Sequence, residues 1–284
     1  MPAENSKQAD TIKAFHTLHS SGCFILPNPW DVGTALYLQD LGFHALATTS
    51  AGFAFSRGLP DGAVPCDEML DHIREIAAVA SVPLNADFLS GFADDAEGVA
   101  INVARCIATG VAGLSIEDST GDRSHPLFAK DVALSRVKAA RESINASGIP
   151  VLLTGRCEAF LVEQPDPLAF VLDRLVAYSE AGADCLYAPG LNKPEEIAAV
   201  VRAVAPKPVN VLVSGFNSHL SLAQLTDLGV RRISVGSGLA LAAWGEFTRA
   251  ARDILASGHF QSLAGGATSA ELNGLFGERE FFAR

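Results

Sequence analysis

Apolar residues along this chain fall into short unbroken runs, separated by longer stretches in which they recur every three or four positions. The runs are Cys23–Leu26, Ala45–Thr49, Val82–Asp87, Gly113–Glu117, Pro150–Arg156, Cys185–Ala188, Pro208–Val213 and Arg232–Val235. Their uniformly apolar character, without alternation, predicts strands covered on both faces. The intervening spacing predicts helices over Val32–Leu41, Cys66–Ala80, Ala96–Thr109, Val132–Ser147, Pro167–Ala181, Pro194–Val204 and Ser221–Leu228, with a last helix from about Leu239. Helical stretches end at Gly42, Gly110, Gly148, Gly182 and Gly229, just before the next apolar run. Glycine past a helix end closes the helix and turns the chain.

Eight strands in strict alternation with helices predict an α/β fold, a (β/α)8 TIM barrel, whose usual length of about 250 residues suits a chain of 284. A doubly wound sheet would carry a glycine-rich phosphate turn after its first strand; here that segment reads LPNPWD. One barrel domain is expected, with the barrel at 20–245 and a helical tail at 246–284. The tail's Leu275, Phe276, Phe281 and Phe282 suit docking on a neighbouring subunit better than water. Two connections, Ser50–Pro65 and Ser119–Ala129, are longer than a barrel requires and lie on the mouth side, where long loops bind or cover ligands.

Composition narrows the partners. A net charge of −11 argues against a nucleic-acid or anionic-membrane surface, which needs clustered Lys and Arg, but leaves room for a small anionic substrate. The opening MPAENSKQAD has no signal-peptide core, and no apolar run reaches the ~18 residues that span a bilayer. Cys23, Cys66, Cys106, Cys157 and Cys185 are scattered and form no CxxC pair, which points to reduced thiols in the cytoplasm.

Candidate chemistry gathers where strands end on charged groups: Asp87, then Glu117 with Asp118, then Arg156. In a parallel barrel such endings point into one mouth. Asp87 and Glu117 suit Mg2+ (or Mn2+), which takes carboxylate oxygens and shares its shell with water and substrate. Arg156 suits a substrate carboxylate or a developing enolate. The competing reading is an Asp–Arg–Glu ion-pair network that only closes the barrel top. Asn85, two residues before Asp87, shares its side of the strand and offers a neutral group to the water shell of the metal; Asp118 alternates away and reads as structural. Asp31 is placed to cap the first helix, and Trp30 either walls the pocket or packs in the core. Thr49-Ser50-Ala51-Gly52 reads as an anion-binding turn or an ordinary one, and His125 as a lid acid or base or a solvated loop residue. Gly236-Ser237-Gly238 opens the last helix where barrels bind phosphate, yet no phosphate-binding Lys accompanies it. None of the six lysines lies in a strand, which excludes a Schiff-base aldolase.

Five motifs in order complete the pattern: T-T-S-A-G after strand two, G-L-P-D in the following loop, N-A-D at strand three, I-E-D at strand four and T-G-R-C-E at strand five. From about Pro27 to Trp244 the chain thereby resembles the isocitrate lyase/phosphoenolpyruvate mutase superfamily. The resemblance implies a Mg2+ ion held by Asp61, Asp87 and Glu117, and a substrate carboxylate bound by Ser50, Ala51 and Gly52. It further implies an active-site Arg156, a pocket-lining Asn210 and a dimer or tetramer. Two departures stand out. The superfamily's D-x-D at strand three is N-A-D here, so that Asn85 replaces an acid. The loop after strand four, STGDRSHPL, lacks the K-[KR]-C-G-H of the isocitrate-type lyases and also the lysine and asparagine of the phosphonate enzymes. The function implied is a Mg2+-dependent C–C lyase or decarboxylase acting on a small 2-oxo or 2-hydroxy dicarboxylate through an enolpyruvate-like intermediate. The alternatives are phosphonate P–C chemistry and a catalytically inactive paralogue that binds 2-oxo acids.

Overall fold

The computed structural model describes residues 2–215, 217 and 219–277, so Phe281 and Phe282 of the expected docking surface lie outside the described residues. Eight strands are present: β1 Phe24–Leu26, β2 Leu46–Ala47, β3 Leu84–Asp87, β4 Gly113–Glu117, β5 Leu152–Arg156, β6 Cys185–Tyr187, β7 Val209–Leu212 and β8 Arg232–Ser234. The helices are α1 Pro2–Ser20, α2 Val32–Asp40, α3 Ser50–Ser56, α4 Cys66–Val79, α5 Ala96–Ile107, α6 Lys130–Ser147, α7 Pro167–Glu180, α8 Pro194–Val204, α9 Leu222–Asp227, α10 Gly238–Ser257 and α11 Ser269–Gly277. Every predicted strand and barrel helix is therefore present, most of them a residue or more shorter at their ends.

All neighbouring strands pair in parallel, in the order β1-β8-β7-β6-β5-β4-β3-β2. The remaining seam, between β1 and β2, is bridged by the Ala47 amide donating to the Pro27 carbonyl at 3.0 Å. Pro27 and Pro29 carry no N–H, so a longer ladder cannot form there. The result is a nearly closed (β/α)8 barrel. The five glycines that end helices all take φ between 68° and 104°, the left-handed region that bulkier residues avoid. No described helix is long and apolar enough to cross a membrane.

Two helices differ from the sequence expectation. The opening segment is a helix, α1, whose Ile12, Phe15 and His19 are buried at helical spacing, with Leu18 partly buried against the core. Phe15 packs so close to β4 that a Cβ on Gly113 would fall 2.8 Å from its ring, which accounts for glycine at that position. The connection after β2, expected to be wholly a loop, begins with α3, for which Thr49 is the cap: its Oγ1 accepts from the Gly52 amide.

Outward-facing strand residues such as Leu114, Ile116, Leu153, Leu186 and Ile233 are buried against the helices. The inward positions are small or polar instead: Asn85, Ser115, Thr154, Asn210, Arg232 and Ser234 are all buried. That inversion leaves a polar interior beneath the mouth.

By internal contacts the chain divides into two compact units, 1–238 and 239–284. In the second unit Leu239, Leu241, Trp244, Phe247, Leu255 and Phe260 are exposed, and Trp244 meets Phe247 edge-on at 5.5 Å between ring centres. Leu275 and Phe276 are half-buried.

Candidate active site

Register delivers the charged strand ends to one another. Glu117 pairs with Arg156 across β4 and β5, and Asp87 ends the next strand over. Arg156 Nη1 lies 3.2 Å from Asp87 Oδ1 and 3.2 Å from Glu117 Oε2. Its Nε donates to the carboxylate of Glu158. Asp61 arrives from the loop after α3: Ser50 Oγ donates to Asp61 Oδ1 at 3.2 Å, while the Ser50 amide donates to Asp87 Oδ2 at 2.9 Å. Ser50 thus ties Asp61 to Asp87. Asp61, Asp87, Glu117 and Arg156 are thus brought together at the mouth.

Glu158 is the member that sequence reasoning passed over. It lies two residues beyond Arg156, on the same side of an extended chain, and that spacing was the available signal. Its amide donates to Asp118 Oδ1 at 2.8 Å. Asp118 in turn accepts from the Tyr178 hydroxyl at 2.8 Å and faces Arg174 at 3.5 Å. Asp118 therefore points away from the mouth, and it fixes the segment that presents Glu158.

Four carboxylates thus face one guanidinium, and the imbalance shows in their protonation. Burial pushes Glu117 well above the carboxylate range; Arg156 opposes this, while Glu158, Asp87 and Asp61 add to it. Asp61 is raised by burial and then by Asp87, and Glu158 is raised by burial against the pull of Arg156. Burial disfavours the charge on Arg156, but Glu117, Glu158 and Asp87 keep it firmly protonated. Glu117 Oε2 is buried and touches the guanidinium without the alignment of a hydrogen bond. Among the described residues no three such side chains form a ready-made metal cage. A hard cation that needs one or two carboxylates plus water and substrate oxygens nevertheless fits this donor set, since it would offset the acidic excess.

The family model for phosphoenolpyruvate phosphomutase matches residues 15–255. The chain belongs to that family. A crystal structure from Burkholderia cenocepacia J2315, provisionally assigned as a lyase/mutase, is 46% identical with a TM-score of 0.92, over 95% of this chain and 98% of that one. The 2-methylisocitrate lyase of Escherichia coli is 34% identical over 56% of this chain and 55% of its own length. An oxaloacetate decarboxylase of Rhodopseudomonas palustris is 29% identical over 66% of this chain and 65% of its own.

In this phosphoenolpyruvate phosphomutase family member the other expected site residues are placed unevenly. Asn85 lies beneath Asp87, buried, with Nδ2 donating to the Ala86 carbonyl and Oδ1 unpartnered. Asn85, Asp87, Arg156, Tyr187 and Asn210 line one cavity of about 40 Å³ inside the barrel. Asn210 Nδ2 donates to Ser234 Oγ at 2.9 Å. Of the Ser50-Ala51-Gly52 amides, that of Ser50 is held by Asp87 and that of Gly52 by Thr49. Asp31 caps α2 in a reciprocal box with Thr34. Trp30 is half-buried and outside that cavity. His125 is not brought to the cluster: its side chain is 86% exposed and lies 3.6 Å from Asp122. Cys157 is buried beside Asp118, facing away from the mouth.

Proposed function

We propose that this protein is a Mg2+-dependent lyase or decarboxylase that breaks a C–C bond in a small 2-oxo or 2-hydroxy dicarboxylate through an enolpyruvate-like intermediate. The observation that carries the reading is the mouth itself, with Asp61, Asp87, Glu117 and Glu158 gathered around Arg156. Asp61, Asp87 and Glu117 would hold the cation. When bound, the ion supplies Lewis acidity that draws electron density toward the oxygen of a 2-oxo acid. Arg156 binds the anionic end of the substrate and offsets charge that develops on oxygen, and Glu158 orients its guanidinium through Nε. The amide and hydroxyl of Ser50 keep Asp87 and Asp61 aimed at the same point. Decarboxylation needs stabilisation of the enolate more than a base to start it, which agrees with a mouth loop free of cysteine and lysine.

Five free cysteines agree with a cytoplasmic protein, and the exposed apolar residues of α10 with assembly of identical subunits as a dimer or tetramer. The test mixes the protein with Mg2+ and oxaloacetate and follows pyruvate, for wild type and Asp87→Ala. Turnover that depends on Asp87 supports the reading. Failure to exceed the free metal across C4 to C7 acids would refute it, and tight binding without turnover would mark a 2-oxo-acid binding protein instead.

A further inference from the structure

Residues 88–95 leave β3 directly after Asp87 and lead to α5. Leu89 and Phe92 hold φ of 47° and 54°, with Gly91 between them at 89°. Glycine enters that left-handed region freely, whereas a branched or aromatic residue stays there only where its surroundings hold it. Of the three described non-glycine residues with such a φ, two fall in this one loop.

The holding groups stand on the outer helices. Arg136, on α6, is 1% exposed and turns its guanidinium onto the loop: Nη2 donates to the Ser90 carbonyl at 2.7 Å and the Ala93 carbonyl at 2.6 Å, and Nη1 to that of Asp94 at 3.2 Å. Asn102, on α5, takes the two carbonyls between, its Nδ2 donating to Gly91 at 3.0 Å and Phe92 at 2.9 Å. Arg105 Nη1 donates to Asn102 Oδ1 at 3.2 Å, so the amide NH2 faces the loop. Two side chains thereby bind five consecutive carbonyls, from 90 to 94. A guanidinium buried on neutral oxygens is costly, and packing alone would be served by an apolar side chain of like volume.

The residue that this clamp orients is Leu89. Just past the last β3–β4 pair, Asp87 with Ser115, the Leu89 carbonyl accepts from the Glu117 amide at 3.0 Å. The left-handed turn at Leu89 therefore joins two acids of the mouth, following Asp87 by two residues and holding Glu117 by its backbone. Arg136 also reaches the far side of Glu117. Its guanidinium carbon lies 4.2 Å from the centre of the Phe128 ring, and the Phe128 amide donates to the Asp118 carbonyl at 2.9 Å.

We propose that Arg136 and Asn102 are positioning residues for the mouth: from outside the barrel they hold residues 90–94 so that the Leu89 carbonyl fixes Glu117 where its carboxylate meets Arg156 and the cation. The cation in this statement rests on the reading given under the proposed function. Without the clamp Leu89 relaxes to negative φ and its carbonyl leaves the Glu117 amide. The far end of the same ladder, where the Ala112 amide donates to the Leu84 carbonyl at 2.8 Å, does not depend on the loop.

The experiment compares hydrogen exchange at the Glu117 and Ala112 amides by NMR in EDTA, for wild type, Arg136→Met and Asn102→Ala, with Mg2+ binding measured calorimetrically on the same proteins. Relative to Ala112, the Glu117 amide should exchange faster by on the order of 10²-fold in Arg136→Met, where several charge-assisted bonds are lost, and about tenfold in Asn102→Ala. Mg2+ should bind about tenfold more weakly in both, as for the loss of one well-placed ligand contact. Equal acceleration of the two amides would make the clamp a general stabiliser and overturns the proposal. Unchanged Mg2+ affinity beside a freed Glu117 amide overturns it as well. Should Arg136→Met not fold, Asn102→Ala makes the same comparison alone. If wild type binds no Mg2+, the cation reading falls, and the ratio of the two amides by itself decides whether the clamp sets Glu117.

Discussion

Removing Arg156 from the mouth should cost far more than removing one of its acids. Arg156→Met would strip the counter-charge from Asp87 and Glu117, each 3.2 Å away, and from Glu158. Breaking a buried ion pair by deleting one partner typically costs about 3–5 kcal/mol, because the remaining charge is left without compensation. Here the stranded groups have an escape, since each carboxylate can bind a proton. Glu117 and Glu158 are already raised by burial, and loss of Arg156 removes the largest influence opposing that rise. A group raised in the folded state contributes stability that is present below its unfolded value and lost as pH climbs through its folded value. The penalty should therefore be smallest in acid and grow as pH rises above the ordinary glutamate value of 4.5. Each proton taken up changes it by about 1.4 kcal/mol per pH unit, so the penalty should be larger at pH 8 than at pH 6. Glu158→Gln keeps an oxygen for Arg156 Nε and relieves the acidic excess, so it should stay within about 1 kcal/mol of wild type. Urea unfolding in EDTA at both pH values measures all of this. A penalty for Arg156→Met that does not change with pH, or an equal cost for Glu158→Gln, would refute the picture of an over-acidic cluster.

Mg2+ should raise the melting temperature more at pH 8 than at pH 6, because Glu117 and Asp61 must release protons to accept it; calorimetric heats that do not depend on the buffer would show that no proton leaves. Gly113→Ala places a methyl group 2.8 Å from Phe15 and 3.0 Å from the Leu152 carbonyl, and should cost about 1–3 kcal/mol in denaturant unfolding. Phe15→Leu in the same chain should recover part of that, and additive costs would argue against the contact. Asp118→Ala leaves Arg174 buried without its charge partner and should destabilise by roughly 3 kcal/mol, with oxaloacetate turnover falling as the Glu158 amide loses its acceptor.

Much of the barrel was legible because its signals are local. Continuous apolar runs, glycine at helix ends and the order of the charged strand ends all survive without knowledge of the tertiary contacts. Helix α1 escaped notice because few of its residues that meet the barrel are apolar: Lys7, Gln8 and His16 reach it through hydrogen bonds, and a mostly polar segment gives little periodicity. Helix α3 was hidden because a Thr-Ser-Ala-Gly opening reads equally well as a turn, and only the Thr49 cap decides it. Of the candidate site, Asp87, Glu117 and Arg156 followed from strand parity and Asp61 from a motif. Glu158 follows from the same parity carried two residues past the strand. Arg232 gave no such warning. In sequence it is one more charge at a strand start, and its burial inside the barrel on Asn210 and Thr154 is a tertiary fact that no local pattern records.

The loop after β4 closes on itself. The Thr120 amide bonds the Pro126 carbonyl at 3.0 Å, Ser119 bridges Leu127, and the Ser124 amide bonds Asp122. Its base is held apart from its tip. The Phe128 amide donates to the Asp118 carbonyl, Arg174 donates to the Phe128 carbonyl at 2.7 Å, and Arg136 lies over the Phe128 ring. Such a hairpin can be exchanged as a cassette: the tip brings its own hydrogen bonds, and the strand ends beneath it are tied down without it. The barrel can therefore keep one acid-and-arginine mouth while the reaction performed there is rewritten in fewer than ten residues, between Ser119 and Leu127.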